Sequence, residues 1–299
     1  MTNTRNERKL DVSIVFLLFN GLSDHFEETL KMVRNQEIDK SVEITAIDSG
    51  STDGTVDFVR KNNDINLYQI PNFEFGHGKT RQTGVELASG KYIIFLTQDA
   101  IPANEFWLEK LIEKIESDEK IKAVCSRIIP RKDALAIRKY GILGEWSASE
   151  NDFVIEDFNL GDYRNHDIST LYDRNFLLKN GFDDVSFGED VLIAKKILAS
   201  GNKTAFASKS VVFHSHDYEI KKTYKRNLID GEFNKIYLNK KTVNSIIRLF
   251  GLTAKSFLRD LKLLIKDRDI NFFEKIINLI YSPVIHFAEM LGQYRGNKK

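Results

Sequence analysis

From Val12 to about Pro130 the chain alternates short β-branched or aromatic runs with segments of helical period, and that alternation limits the fold more than any other feature. The runs are VSIVFLLF, VEITAID, NLYQI, YIIFLT and AVCSRII, with helical candidates between them at 24–34, 54–61, 80–88 and 105–115. Strands separated by helices predict an α/β architecture, a mostly parallel sheet flanked by helices. The runs are apolar almost throughout, which suits a sheet buried on both faces. Ligands of open α/β sheets bind beyond the carboxyl ends of the strands, so the chemistry is sought there. Residues 131–180 are irregular, polar and aromatic; FGED then precedes the helical run VLIAKKILASG, and TAFASKSVVFHSH reads as a strand ending in two histidines. Beyond Tyr218 the pattern is helical and basic. The expected division is an α/β domain over 1–218 and a C-terminal helical appendage over 219–299.

The stretch FGHGKTRQTG, Phe75 to Gly84, ends like a phosphate-binding P-loop at Gly78-Lys79-Thr80. A P-loop wraps phosphate with backbone N–H groups and needs a glycine five residues before Gly78. That position is Phe73, and no GxGxxG opens a helix elsewhere. An ATPase or dinucleotide loop is therefore rejected. A basic, glycine-punctuated helix entrance carrying Lys79 and Arg81 remains, suited to lie near an anion.

At 299 residues the chain can bury a large core, and with 42% hydrophobic and 29% charged residues it has an ordinary soluble composition. The net charge of +1 hides an asymmetry: residues 217–299 carry 17 Lys and Arg against 9 Asp and Glu, and residues 1–216 carry 27 against 34. Cys125 is the lone cysteine, so no intrachain disulfide forms, and its setting AVCSRII reads as a buried strand. The polar start MTNTRNERKL has no apolar core of a signal peptide, and no run reaches 18 unbroken apolar residues. A cytoplasmic protein is expected, with no nucleic-acid partner.

Acidic residues gather at the expected strand ends. VEITAID ends in Asp48 and opens into SGSTDGT. There Asp53 or Thr52 reads as a helix N-cap with Asp48 solvated, or Asp48 accepts hydrogen bonds from a nucleotide base or ribose. YIIFLT runs into Gln98-Asp99, and a hard divalent cation on a diphosphate needs only one or two protein carboxylates. Glu189-Asp190 open a helix, which is ordinary matching of the macrodipole. Yet they follow GFDDVSF, so four acids fall in eight residues, a repulsion easier to understand where a cation or proton is handled. His214 and His216 alternate across a strand end, so one of the two is expected to face the cleft as a metal ligand or phosphate contact.

In order, DSGSTDGT, FGHGKTRQTGVELASGKYIIFLTQDAIP, GFDDVSFGED and VVFHSH resemble family 2 glycosyltransferases of the GT-A fold, and within them the bacterial rhamnosyltransferase-like branch. The resemblance runs from about Val12 to Tyr218. It implies a nucleotide pocket at Asp48 and Asp53, Lys79, Arg81 and Gln98 near the nucleotide-sugar, and Asp99 in the last place of the family's DxD metal motif, here Thr97-Gln98-Asp99. It implies Mg²⁺ or Mn²⁺ as cofactor, His214 or His216 beside the diphosphate, Asp190 as catalytic base and Glu189 orienting the acceptor. The chemistry implied is inverting transfer from a nucleotide-sugar, dTDP-L-rhamnose by the TQDA and HSH signatures, onto a lipid-linked or growing polysaccharide. A UDP-hexose transferase is the alternative within the class; a catalytically silent carbohydrate- or nucleotide-binding subunit is the alternative outside it.

In the tail, VNSIIRLFGLTAKSFLRDLKLLIK places Ile246, Phe250, Phe257, Leu261 and Leu264 on one helical stripe, with Arg248, Lys255, Arg259, Lys262 and Lys266 largely elsewhere. A second apolar run is broken by Pro283. Two readings stand for residues 243–291: helices packed on the rest of the chain or in a homo-oligomer, or peripheral contact with a membrane of anionic headgroups.

Overall fold

The computed structural model describes residues 10–217 and 219–299. The chain divides into two compact units, one running to Ile128 and resuming over Ser149–His214, the other made of Ile129–Ala148 and Ser215–Lys299. The second unit thus takes in a segment from the irregular middle of the sequence as well as the C-terminal helices.

The first unit is built on β1 (Val12–Leu18), β2 (Val42–Asp48), β3 (Ile65–Gln69) and β4 (Tyr92–Leu96), with α1 (Phe26–Arg34), α2 (Thr55–Arg60) and α3 (His77–Leu87) between them. These four strands are mutually parallel in the order β3-β2-β1-β4, as the alternation of runs requires. After them come β5 (Ile101–Pro102), α4 (Trp107–Glu116) and β6 (Ile121–Ile129). The second unit's α5 (Ala136–Leu143) follows, and then β7 (Phe153–Ile155), β8 (Ser169–Asp173), α6 (Arg174–Asn180), α7 (Glu189–Ala199) and β9 (Lys203–Phe213). The sheet continues past β4 as β8-β6-β9-β5, with β7 on the side of β9. Here the direction changes: β8 runs antiparallel to both β4 and β6, and β5 and β7 are antiparallel to β9. Val15, Ile47, Phe95, Tyr172 and Phe182 share the core with Ile193 of α7. Their rings meet edge to face, Phe95 on Phe182 at 5.5 Å and Tyr172 on Phe182 at 5.8 Å.

The helix expected from Thr80 begins three residues earlier, at His77. Gly78 is therefore inside a helix, where glycine is normally unfavourable. Its reason is contact: a Cβ there would stand 1.8 Å from the Asp183 carbonyl oxygen. The glycine that resembled a phosphate loop instead lets α3 touch the backbone of the GFDDV segment. Gln82 adds a hydrogen bond from the Phe182 N–H at 3.1 Å.

The second unit packs α5 with α8 (Ile220–Leu238), α9 (Ile246–Lys266) and α10 (Phe272–Gly296). Ala136, Ile137, Leu264 and Ile285 form its apolar centre. Gly292 lets α10 approach α8, since a Cβ there would lie 2.6 Å from the Tyr224 carbonyl. Ser245 caps α9, and Asn271 with Glu274 forms a capping box on α10. Between α9 and α10 lies a buried charge chain. Asp260 accepts from Ser282 and meets His286 Nε2 at 2.7 Å, whose Nδ1 meets Glu289 at 2.8 Å; Arg138 of α5 closes the chain on Glu289 at 2.8 Å. Burial opposes a charge on His286, but the two carboxylates prevail and hold its pKa up at about 9.

Candidate active site

Parallel strands bring Leu18 of β1 beside Asp48 of β2, so the loops leaving them start side by side. The loops are then tied together. Ser49 donates to the Leu18 carbonyl from both its N–H and its hydroxyl, the Asn20 N–H reaches Ser51 Oγ at 2.8 Å, and Asn20 Oδ1 accepts the Thr52 N–H at 2.8 Å. Asn20 manages this at φ 51°, a left-handed conformation that asparagine tolerates better than most residues.

Asp48 is fully buried. One carboxylate oxygen accepts the N–H groups of Gly50 and Ser51, at 3.0 and 3.1 Å. The other, Oδ1, is buried without a hydrogen-bond partner. A carboxylate oxygen sealed in this way is costly to the fold unless a ligand donor meets it. Asp53 differs, because both of its oxygens are engaged in the loop: Oδ1 by the N–H and hydroxyl of Thr55, Oδ2 by the Ser23 N–H. Burial opposes its charge, yet these hydrogen bonds hold its pKa below the usual carboxylate range. Lys79 is exposed on the first turn of α3.

At the end of β4, Gln98 braces the neighbouring loop. Its Oε1 accepts the Phe19 N–H at 3.0 Å, and its Nε2 donates to the Phe19 carbonyl and to Asp24, each at 3.1 Å. An amide offers a donor and an acceptor at once, which a carboxylate in its place would not. Asp99 is buried beside His214, Oδ2 to Nε2 at 3.3 Å. The sheet explains the meeting: β5 and β9 pair antiparallel with Ile101 opposite Phe213, so the residues before β5 lie alongside those after β9. His216 follows two residues on, and Asp99, His214 and His216 each offer a ligand atom within 4.8 Å of the others.

A second cluster gathers around Arg81. Its guanidinium is buried, making an ion pair with Asp167 at 2.8 Å through Nε and another with Glu189 through an NH group, and it lies over the Phe95 ring at 5.7 Å. The sequence expectation had this arginine facing a nucleotide-sugar; the structure encloses it between two carboxylates of its own chain. Glu189, expected to orient an acceptor, is likewise buried and directed at Arg81. The next residue, Asp190, is half-buried at the start of α7. Asn165 holds its backbone carbonyl at 3.0 Å and donates to the Tyr172 hydroxyl at 2.6 Å, while that hydroxyl donates to Asp167 at 2.5 Å. Burial, then the Glu189 and Asp167 charges, push the Asp190 pKa up to about 8 against the pull of Arg81. Burial first, with Glu189 adding to it and Arg81 opposing, likewise raises Asp167 to about 6.

Asp167 and Asn165 were not singled out from sequence. The Ile168 carbonyl accepts the Thr97 N–H at 2.9 Å, because β8 begins opposite the end of β4. An acid just before an apolar strand is the available signal, but it points to this edge only once the strand is known to run antiparallel. His166 in the same segment donates from Nε2 to the Ser126 carbonyl at 2.9 Å, and burial lowers its pKa to about 4, leaving it neutral. Cys125 is buried as expected, its thiol pushed up to about 12 by burial and so unreactive.

A parallel half-sheet with acids beyond its carboxyl ends, continued by antiparallel strands that carry further acids to the same edge, defines a GT-A type fold. Solved structures agree on that fold. A mannosyltransferase from Pyrobaculum calidifontis, in complex with GDP-Man and Mn²⁺, superposes with a TM-score of 0.58 at 15% identity over 94% of this chain and 87% of that one. TarS 1–349 of S. aureus gives 0.56 at 13% identity in its complex with UDP-GlcNAc, over 96% and 92%. The glycosyl transferase family 2 sequence model matches residues 13–182, and the chain belongs to that family. Among curated relatives, the O-antigen chain rhamnosyltransferase RfbN of Salmonella typhimurium is 32% identical over 197 residues, 64% of this chain and 62% of its own length. The O-antigen chain rhamnosyltransferase WbaN of Salmonella anatum is 30% identical over 209 residues, again 64% and 62%. The matches thus span less than two thirds of either relative.

Proposed function

We propose that this chain is an inverting glycosyltransferase that moves L-rhamnose from dTDP-L-rhamnose onto a hydroxyl of a lipid-linked or growing cell-surface polysaccharide. The observation that carries this reading is Asp190, a carboxylate at the start of α7 whose pKa is raised by burial and then by two neighbouring acids. A general base is most effective when its pKa lies near the working pH. Asp190 takes the acceptor hydroxyl proton while the acceptor oxygen bonds to the anomeric carbon. The bond from that carbon to the diphosphate breaks, and its electron pair leaves on the nucleoside diphosphate, so the anomeric centre inverts. Neither a covalent intermediate nor a second carboxyl acid is needed. Asp48 receives a base or ribose donor on its unpartnered oxygen, and exposed Lys79 offers charge to the diphosphate. The family 2 match and the names of the two O-antigen relatives support the sugar and the acceptor class.

Asp99, His214 and His216 fit a divalent cation, which when bound supplies positive charge to the departing diphosphate. Two imidazoles with one carboxylate suit Mn²⁺ better than Mg²⁺, which prefers oxygen donors and its own waters. We expect Asp99→Ala to weaken Mn²⁺ binding, read by electron paramagnetic resonance of the free ion, by about tenfold or more, since loss of even an outer partner of a metal ligand costs roughly 10–100-fold. Equal Mn²⁺ binding by the variant and the wild type would remove the metal from this site.

The test of function is a panel of nucleotide-sugars incubated with the protein and an acceptor glycan, with released nucleoside diphosphate measured. Release from dTDP-L-rhamnose is the expected result. Release from a UDP-hexose alone would replace the donor, and release from none would favour a silent binding subunit.

A further inference from the structure

The C-terminal helices leave a large apolar face uncovered. On α10, Phe273, Ile277, Ile280, Val284 and Phe287 repeat at spacings of three and four, and all five are exposed, Phe273 by 76%. On α9, Ile247, Phe250, Leu258 and Ile265, separated by three, eight and seven positions, fall on one helix face and are exposed, Ile247 by 87%. The two stripes join where the Phe250 and Phe287 rings meet at 5.9 Å. The stripe expected on α9 is thus divided: Leu264 is buried in the second unit, Phe257 and Leu261 are half-buried, and Ile246 and Phe250 stay outside. A soluble protein rarely keeps such a continuous face in water.

Charge indicates the occupant. The exposed ionisable side chains of α9 are Arg248, Lys255, Arg259, Lys262 and Lys266, all basic, while its one acid, Asp260, is buried against His286 and Arg259. Along α10, Ile276–Ala288 contains no Asp, Glu, Lys or Arg, and its one histidine, His286, is buried. A second copy of this face would bring a row of like charges against its own image. An anionic bilayer surface takes both features, the apolar stripe among the acyl chains and the basic row at the headgroups. Among the described residues no helix is long and apolar enough to cross a membrane, so the contact lies along the surface. We propose that the exposed face of α9 and α10 is a docking surface for an anionic lipid bilayer, with the two helices in the plane of its headgroups.

The test uses the full chain and vesicles of phosphatidylcholine with or without phosphatidylglycerol, with bound protein measured by co-sedimentation. Wild type should pellet with the anionic vesicles at low salt and be largely released at high salt. The double variant Ile277→Gln/Ile280→Gln changes only exposed residues and should lower partitioning about tenfold or more. The triple variant Lys255→Gln/Lys262→Gln/Lys266→Gln should lower it roughly 100-fold, about fivefold per lysine. Unchanged melting temperatures show that each variant is folded. Variants that pellet like wild type would overturn the proposal. So would a wild type that ignores the vesicles, whether it is a monomer or a dimer that the isoleucine variant splits.

Discussion

Replacing Asp190 with asparagine should reduce turnover roughly 10²–10⁴-fold, the contribution of a positioned general base, while leaving nucleotide-sugar affinity nearly unchanged. Asparagine keeps the shape and can still accept the Val191 N–H that Asp190 Oδ1 now receives at 2.7 Å. It cannot take a proton from an acceptor hydroxyl. A pH profile sharpens the test. The base works ionised, and its pKa is held up near 8, so wild-type kcat/KM should climb with pH through the neutral range and level off above about 8. In the variant that limb should vanish. Glu189→Gln should move the wild-type limb toward acid, because removing a neighbouring negative charge eases ionisation of Asp190. Turnover in Asp190→Asn above a tenth of wild type would end the assignment.

The parallel half of the fold was legible because its signal is local. The strand runs VEITAID and YIIFLT led into acids at Asp48 and Asp99, and the rule that parallel strands share a carboxyl edge put both at one side. The rest depended on pairing between distant segments. β8 is only five residues long in a polar stretch, and nothing within STLYD states that it inserts antiparallel between β4 and β6. That insertion places Asp167 against Arg81. Without Asp167, an arginine in a glycine-punctuated, basic segment reads as an anion contact, since burial and partners 86 and 108 residues away are invisible in the string. Spacing alone ruled out a phosphate loop at Gly78, but what the glycine does could not be read: its close approach to Asp183 is a tertiary fact, and a Gly-Lys-Thr sequence has the same letters whether it cradles phosphate or backbone. The tail shows the limit of periodicity. A stripe can be read from spacing, but α9 is apolar on two sides, and only packing decides which side faces inward.

Arg81→Met separates the two readings of that arginine. If the guanidinium mainly balances Asp167 and Glu189, methionine fills similar volume over Phe95 but leaves buried carboxylates without their cation. Removing one partner of a buried pair costs about 3–5 kcal/mol, which for a chain of this size lowers the melting temperature by roughly 10 °C. The pH dependence carries a sign. Asp167 already has a folded pKa raised to about 6, above its ordinary 3.8, so its ionisation opposes folding and stability is lost as pH rises through that range. Without Arg81 the raised value climbs further. The gap between variant and wild type should therefore be widest near pH 8 and narrow toward pH 5, where the carboxylates take up protons in the fold. Arg81→Lys should recover only part of the loss, because an ammonium lacks the planar fork that reaches both acids. The competing reading, an arginine facing the donor, gives the opposite pattern: a melting temperature within a degree or so of wild type, the same gap at every pH, and a weakened nucleotide-sugar affinity. Thermal melts at pH 5 and pH 8, with donor binding measured alongside, distinguish an arginine that holds Asp167 and Glu189 in place from one that holds the substrate.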